Sequence, residues 1–227
     1  MYCFACNVYV EGQSGICQAC GKPLETDPDR YFRAAMEAMA AGDIDHSIRL
    51  LKNCMTLKPD HLSGRYNLGI ALCMAGEYDE ANEQFAVIAE QDPGFPGLYT
   101  AMGQAVFGLY LYHSEQSETC CKSMIKFFSR AIEQDPGDVD AYFSMGNAYL
   151  ASGRPSKALP WLKQALKLHA DTSAIYFALA KAYKAVEDYP EAMKTARKAA
   201  ELSKPHDPLA GDIENLLVEL EQTPRGT

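Results

Sequence analysis

The chain has 227 residues, of which 48% are hydrophobic and 22% charged, so it is long enough to bury a core and to form one or two domains. Its formal net charge of −9 argues against general binding of nucleic-acid backbones. The charge is uneven, with a net of −10 over residues 1–153, +5 over 154–204 and −4 over 205–227. No apolar run approaches the roughly 18 residues that span a bilayer. Because no basic and apolar leader precedes Cys3, we expect a soluble, cytoplasmic protein.

Four of the eight cysteines form two Cys-x2-Cys pairs near the start of the chain. They are Cys3, Cys6, Cys17 and Cys20. This spacing is typical of a four-thiolate metal site, in which each pair forms a tight turn, or knuckle, around a tetrahedral ion. Asn7 and Gly21 follow the two pairs, at positions where a knuckle needs positive φ, and both residue types tolerate it. Residues 1–25 resemble a zinc ribbon, with a hairpin predicted over residues 8–16.

The resemblance implies Zn²⁺, because four thiolates form a closed site with no open position for water. Iron stays an alternative, since similar knuckles hold iron in rubredoxin-like proteins. We expect a structural site, and two other roles stay open: a metal- or redox-responsive regulator, and a nucleic-acid-associated factor. Lys22 is the only basic residue in the ribbon. We therefore predict that Tyr2, Phe4 and Tyr9 pack on the segment that follows and do not stack on bases.

Asp-Pro and Lys-Pro dipeptides recur along the rest of the chain, and Pro59 and Pro93 are 34 residues apart. The stretches YNLGIALCMAGEYDEA and FSMGNAYLASGRPSKA each predict a helix, a turn at Gly and a second helix. These features resemble the tetratricopeptide repeat, a 34-residue helix–turn–helix unit. The resemblance implies an all-α solenoid over residues 28–204, in which small residues such as Gly69 and Gly146 lie where paired helices cross. The predicted repeats lie near 28–61, 62–95, 96–138, 139–172 and 173–206.

The third repeat has nine residues more than one unit, and we place this insertion at about 108–121. A longer helix and a loop near a binding face are both compatible with the extra length. His113, Cys120 and Cys121 do not predict a second metal site, because adjacent cysteines point apart on a helix. After the fifth repeat, residues 207–222 predict a capping helix with its acidic residues opposite an apolar stripe. The stripe consists of Ile213, Leu216, Leu217 and Leu220.

In solenoids of this family the first helix of each pair lines the concave side, which predicts a partner groove. The groove residues are Phe32, Met36, Met39, Tyr66, Ile70, Cys73, Gln104, Phe107, Phe143, Asn147, Phe177, Lys181 and Lys184. Most are aromatic or aliphatic, so the carboxylate clamp of the family's chaperone-binding members is not supported. The groove becomes basic at its C-terminal end and suits an amphipathic helix or peptide with acidic residues. Coverage by the ribbon, by the insertion or by a second copy through self-association stays open.

The chain contains no nucleophile–base pair, phosphate loop or paired-carboxylate motif that stands out. Cys54 and Cys73 fall on helical repeat positions, where we expect buried and inert thiols. The sequence therefore predicts a protein–protein interaction adaptor or scaffold that is not an enzyme and that binds a protein or peptide partner.

Overall fold

A computed structural model of the protein describes residues 1–10, 15–112, 117–168 and 172–222. Over these ranges the chain forms 11 helices and two short strands, and none of the helices is long and apolar enough to cross a membrane. The strands β1 (Tyr2–Cys3) and β2 (Val8–Tyr9) pair antiparallel. The helices are α1 (Pro28–Ala40), α2 (Ile44–Leu57), α3 (Leu62–Ala75), α4 (Tyr78–Gln91), α5 (Leu98–Tyr112), α6 (Ser117–Gln134), α7 (Val139–Ala151), α8 (Pro155–Lys167), α9 (Ser173–Ala185), α10 (Tyr189–Leu202) and α11 (Ala210–Gln222).

The chain divides into two compact units, Met1–Ala101 and Met102–Thr227. In the N-terminal unit α1 packs on α2 and α3 packs on α4, and α2 also contacts α3. In the C-terminal unit α7 packs on α8 and α9 packs on α10, while contacts of α6 with α7 and of α8 with α9 join successive pairs. Within each unit these helices pack mainly on their neighbours in the sequence, as expected for stacked helix pairs.

Acidic side chains determine where several helices begin. Asp43, Asp138 and Asp188 each accept a hydrogen bond from the backbone N–H three residues later, at the starts of α2, α7 and α10. At α1 the cap is Asp27, and Pro28 takes the first helical position, where its missing N–H costs nothing. These helix starts follow from local sequence alone.

Gly69 and Gly146 lie where paired helices approach each other closely. A Cβ atom on Gly69 would lie 2.4 Å from the ring of Phe85 in α4, and one on Gly146 would lie 2.5 Å from Leu162 in α8. Phe85 and Leu162 are both fully buried, so neither has free space into which it can move. These contacts confirm the prediction that small residues allow the paired helices to cross.

The extra residues of the third repeat lengthen its two helices. Helix α5 has 15 residues and α6 has 18, whereas the other described helices have 13 or 14. Of the predicted insertion, residues 108–112 and 117–121 are helical, and residues 113–116, which include His113, lie outside the described residues. Cys120 and Cys121 are buried in a cluster with Met124 and Phe128. The adjacent cysteines therefore belong to an apolar core.

Helix α11 packs on α10 at the end of the C-terminal unit. Three residues of its predicted apolar stripe are buried and the fourth is partly buried, which confirms the stripe. The acidic residues of α11 are all exposed, as predicted, and Glu219 lies beside the stripe, where it forms an ion pair with Lys184 of α9. Glu219 follows Leu216 by three positions, so the two side chains are neighbours on the helix surface.

Candidate metal centre and partner groove

The four predicted metal ligands converge at the start of the chain. Their sulfur atoms all lie within 4.8 Å of one another. The Sγ atoms of Cys3 and Cys20 are 3.6 Å apart, and those of Cys6 and Cys17 are also 3.6 Å apart. Metal–sulfur bonds of about 2.3 Å in a tetrahedron place the sulfur atoms about 3.8 Å apart. The donor set therefore fits one tetrahedral ion, held by all four thiolates.

The two Cys-x2-Cys pairs form matching knuckles. The backbone N–H of Asn7 donates to the carbonyl of Cys3 at 2.9 Å, and that of Gly21 donates to the carbonyl of Cys17 at 2.8 Å. Asn7 has a φ of 57° and Gly21 a φ of 70°, which confirms the prediction of positive φ at both positions. Each turn thus has the local backbone that metal knuckles require.

In the ribbon, backbone pairing joins the two segments that flank each knuckle. Strand β1 pairs with β2 across the first knuckle, and an isolated bridge joins Ile16 to Pro23 across the second. In the described residues, Val8 and Tyr9 pair with β1 and Ile16 pairs with Pro23, whereas the turn of the hairpin predicted over residues 8–16 falls on residues 11–14, outside the described residues. Closing a Cys-x2-Cys turn brings its two flanks together, which explains this register.

The surroundings of the thiols affect their protonation. Burial raises the pKa of Cys3, but the backbone N–H groups of Ala5 and Cys6 and the neighbouring thiols together lower it to about 7. Burial and the neighbouring thiols raise the pKa of Cys6 to about 12. Metal binding requires deprotonated thiols, so metal and protons compete for the site.

The ribbon, residues 1–25, has a small core in the part that the structure describes, residues 1–10 and 15–25. Four buried residues form its core cluster, namely Cys3, Val10, Cys17 and Leu24, and two of them are predicted ligands. Tyr2 is buried as well, outside this cluster. Cys20, by contrast, is exposed to solvent. Within the described part of the ribbon, Val10 and Leu24 are the aliphatic members of this cluster, and so small an apolar core contributes little stability of its own.

Three aromatic side chains anchor the ribbon to the first helix pair. The ring of Tyr2 lies 5.0 Å from that of His46 in α2, and the ring of Phe4 lies 5.2 Å from that of Tyr31 in α1. The hydroxyl of Tyr9 lies 2.9 Å from Nδ1 of His46. These contacts confirm that the aromatic residues pack on the first repeat. The same contacts compete with any stacking of nucleic-acid bases on these rings.

Six predicted groove residues lie on α1 and α3 of the N-terminal unit, and each is half-buried. They are Phe32, Met36, Met39, Tyr66, Ile70 and Cys73. The ring of Phe32 lies 5.1 Å from that of His61, and the ring of Tyr66 lies 5.2 Å from that of Phe95. Both aromatic groove residues are therefore held in place by a second ring.

Burial disfavours the thiolate form of the two cysteines in the first two repeats. Cys54 in α2 is buried and Cys73 in α3 is half-buried. Burial raises the pKa of each thiol to about 11, so both stay protonated at neutral pH. Since the thiolate is the reactive form, the raised pKa values agree with the expectation of inert thiols, although Cys73 is half-buried and not fully buried as predicted.

Four predicted groove residues lie on α5 and α7 of the C-terminal unit. Phe107, Phe143 and Asn147 are half-buried, and Gln104 is exposed. The side-chain amide of Gln104 donates to Oγ of Ser144 at 3.4 Å, which joins the two helices. The ring of Phe107 lies parallel to that of Tyr110, and Phe143 packs against the core formed by α7 to α11.

The remaining predicted groove residues, Phe177, Lys181 and Lys184, come together in a cleft of about 640 Å³ between α9 and α11. Nζ of Lys181 lies 5.5 Å from the centroid of the Phe177 ring, and Lys184 pairs with Glu219. Helix α11 lines the other side with Asp212, Asn215, Leu216 and Glu219. The cleft therefore combines apolar surface with charges of both signs.

The sequence prediction missed the residues that α11 contributes to this cleft, because it treated α11 as a cap alone. They occupy positions i, i+3, i+4 and i+7, which lie on one face of a helix. That spacing is the signal in the sequence that identifies them. Leu216 belongs to both sets, because it is buried in the apolar stripe of α11 and also lines the cleft.

Paired helices with small residues at their crossings define a helical-repeat solenoid protein. Three sequence profiles described as tetratricopeptide repeat match residues 38–105, 139–182 and 173–206. Together they cover more than half of the chain. The chain therefore belongs to the tetratricopeptide repeat family.

The chain is similar to DnaJ homolog subfamily C member 3 of Gallus gallus, with 24% identity over 196 residues, 81% of this chain and 38% of that protein. It therefore spans less than half the length of that relative. Among solved structures it is similar to TTC0263, a thermophilic repeat protein of Thermus thermophilus, with a TM-score of 0.70 and 22% identity over 86% of this chain and 99% of that one. It is also similar to YrrB, described as a repeat protein with an unusual peptide-binding site, with a TM-score of 0.58 and 17% identity over 84% and 93% of the chains. At these identities the solved structures show the fold.

Proposed function

We propose that the protein is a non-enzymatic interaction adaptor that binds a peptide or helix of a partner protein at the cleft between α9 and α11. One observation carries this proposal. Phe177, Lys181 and Lys184, which the repeat register predicts as groove residues, line the cleft of about 640 Å³. A cleft of this size suits a few side chains of a partner segment.

The cleft suits a segment in which an apolar residue neighbours an acidic one. Phe177 and Leu216 offer apolar contacts, and Lys181 is exposed beside the Phe177 ring. Lys184 is engaged by Glu219 within the chain. A partner carboxylate can pair with Lys181 without displacing Glu219, while the apolar residue contacts Phe177.

A protein of the same fold supports peptide binding in general. YrrB is described as a tetratricopeptide repeat protein with an unusual peptide-binding site. Because its identity to this chain is 17%, the analogy supports a binding role for the fold and assigns no particular residue.

Selection of peptides from a random library displayed on phage tests the proposal. We expect the wild-type protein to enrich peptides that combine apolar residues with Asp or Glu. Phe177→Ser and Lys181→Glu should each weaken binding of the enriched peptides by about tenfold or more, because both side chains line the cleft. Fluorescence anisotropy with labelled peptides measures the affinities.

Lys157→Glu is the matched control, since it makes the same charge change at an exposed residue of α8 that does not line the cleft. It should bind like the wild type, and circular dichroism should show equal helix content in all variants. Failure to enrich any peptide, or unchanged binding in both cleft variants, would refute the proposed site.

We also propose that Cys3, Cys6, Cys17 and Cys20 bind one Zn²⁺ ion in a structural site, with iron as the alternative metal. The convergence of the four sulfur atoms within 4.8 Å and the two matching knuckles support this. When bound, such an ion crosslinks the two knuckles and offers no open coordination position.

Metal analysis of the purified protein tests this second proposal. We expect one zinc per chain, and loss of that zinc in the double variant Cys3→Ser, Cys17→Ser. A coloured protein that contains iron would identify the alternative metal. Thiols that resist mild oxidation while zinc is bound would argue against redox regulation, and absence of any metal after purification and reconstitution would refute the site.

A further inference from the structure

The hydroxyl of Tyr31 joins the first repeat to the backbone of the ribbon. The Tyr31 side chain is fully buried. Its hydroxyl donates a hydrogen bond to the carbonyl of Tyr2 at 3.0 Å and accepts one from the N–H of Tyr2 at 3.3 Å. Tyr2 directly precedes the predicted ligand Cys3 in β1. One side chain of α1 therefore satisfies both backbone groups of the residue next to a metal ligand.

Tyr31 lies in the first turn of α1, next to the predicted groove residue Phe32. The ring of Tyr31 also packs on that of Phe4, over which the guanidinium of Arg30 lies at 4.6 Å. Consecutive residues of a helix point in directions about 100° apart. Helix α1 therefore contacts the ribbon with Tyr31 while Phe32 lies on a different side, 5.1 Å from the ring of His61.

The position of β1 depends on the knuckles. The carbonyl of Cys3 accepts the hydrogen bond that closes the first knuckle, and the aliphatic residues in the ribbon core are Val10 and Leu24. Without a crosslink so small a core does not fix β1 against α1. The Tyr31 hydroxyl would then exchange both backbone groups of Tyr2 for water and keep only its longer contact with the carbonyl of Glu25, at 3.4 Å. The two hydrogen bonds that tie α1 to β1 would be lost.

We infer that Tyr31 couples metal binding in the ribbon to the order of α1, the groove helix of the first repeat; this rests on the proposed metal site. The contact forms only when the ribbon is folded, and the ribbon is folded only when the metal is bound. Coupling free energies are reciprocal, so the contact that orders α1 also increases the affinity for the metal. Metal binding thereby controls the side of α1 that carries Phe32, Met36 and Met39.

The variant Tyr31→Phe tests the coupling, because it keeps the ring and removes the hydroxyl. Competition with a chromophoric chelator measures the zinc affinity of the full chain. We expect roughly tenfold weaker zinc binding in the variant, since two buried backbone groups lose their partner in the metal-bound state. Hydrogen exchange of residues 28–57 should slow on zinc binding in the wild type, and this difference should shrink in the variant.

Two control variants separate the coupling from a general loss of stability. Tyr110→Phe removes a hydroxyl that donates to the carbonyl of Ala151 at 2.9 Å, in the C-terminal unit. Ile88→Val weakens a fully buried position of α4 in the N-terminal unit. Both should bind zinc with wild-type affinity. If Ile88→Val weakened zinc binding as much as Tyr31→Phe, the coupling would not run through the Tyr31 hydroxyl.

The outcomes distinguish this inference from the proposed metal site. If Tyr31→Phe binds zinc like the wild type and α1 keeps its zinc-dependent protection, the coupling is wrong and the metal site stands. If the wild-type protein binds neither zinc nor iron, the metal site is wrong and the coupling fails with it.

Discussion

The first and last helix pairs of the repeat array are each covered by an element that is not a repeat, and the two covers differ in kind. At the first pair, the ribbon contacts α1 and α2 through aromatic rings and hydrogen bonds. The Tyr31 hydroxyl of α1 bonds the ribbon backbone, and the Tyr9 hydroxyl of the ribbon bonds His46 of α2. At the last pair, α11 covers α10 and buries Ile213, Leu216 and Leu220 to within 5% exposure. Repeat arrays need such covers, because their terminal apolar faces would otherwise meet water.

The difference lies in what each cover needs in order to fold. Each buried aliphatic residue of α11 contributes about 1.5–3 kcal/mol from the removal of apolar surface from water. That contribution is present under all conditions in which the repeats are folded. Among the described residues of the ribbon, two of the four members of the core cluster are thiols, so we expect its folding to depend on the proposed metal. We therefore regard the cover by α11 as unconditional and the cover by the ribbon as conditional.

The largest expected effect is removal of the metal. Structural zinc sites contribute an apparent free energy of about 10–16 kcal/mol, which exceeds anything the small ribbon core supplies. A strong chelator should therefore abolish the hydrogen-exchange protection of residues 1–25 and leave that of residues 210–222 unchanged. Exchange measured by mass spectrometry with and without chelator checks this. A ribbon that stays protected without metal would contradict the contrast between the two covers.

The second-largest expected effect is a loss of stability when a buried side chain of α11 is shortened. Leu216→Ala should destabilise the C-terminal unit by about 3 kcal/mol, because it removes a buried side chain and leaves a cavity. Urea denaturation followed by circular dichroism measures the change, and zinc affinity should stay at the wild-type value. Val218→Ala is the control, since Val218 is exposed on the same helix and should change stability little. Equal effects of the two variants would show that α11 is not held by its apolar stripe.

The third effect compares the helix crossings of the two compact units. Gly69→Ala and Gly146→Ala should each cost about 1–3 kcal/mol, since the new Cβ atom would lie within 2.5 Å of a buried side chain. Gly211→Ala serves as the control, because a Cβ atom there meets nothing within 4 Å and alanine favours the helix. Thermal unfolding measures all three. A neutral Gly69→Ala or Gly146→Ala would mean that the helices can separate without cost.

The smallest expected effect is the pH dependence of the stability that Asp207, just before α11, contributes. Hydrogen bonds from the N–H of Leu209 and from the hydroxyls of Ser173 and Ser203 lower the pKa of Asp207. A lowered pKa in the folded state means that the carboxylate stabilises the fold above its unfolded pKa of about 3.9, and that this stabilisation is lost as the pH falls through the folded pKa. The stability difference between wild type and Asp207→Asn should therefore shrink below about pH 4.

Thermal unfolding as a function of pH measures this difference. Glu214→Gln removes an exposed carboxylate within α11 and serves as the control, with little expected change in the pH profile. A difference between wild type and Asp207→Asn that grew as the pH fell would contradict the assigned direction.

Local patterns explain what the sequence predicts well. The knuckle positions of Asn7 and Gly21 depend on a few neighbouring residues, and the crossing at Gly69 follows from the repeat register. The contact of Tyr31 with Tyr2 joins residues 29 positions apart, so no local pattern predicts it. The orientation of Glu219 depends on which edge of α11 faces α9, and hydrophobic spacing alone does not determine this.

The hydroxyl of Tyr31 also limits which repeats are interchangeable. In arrays held together by contacts between neighbours, one unit can in principle replace another. Tyr142 occupies the position of Tyr31 in the fourth repeat, so a copy of that repeat would keep a hydroxyl for β1. It would, however, place Lys157 where the first repeat has His46, the partner of the Tyr9 hydroxyl. In the repeat register only the first repeat has both a tyrosine at the position of Tyr31 and a histidine at the position of His46. These two side chains therefore distinguish the repeat that can carry the ribbon from the others.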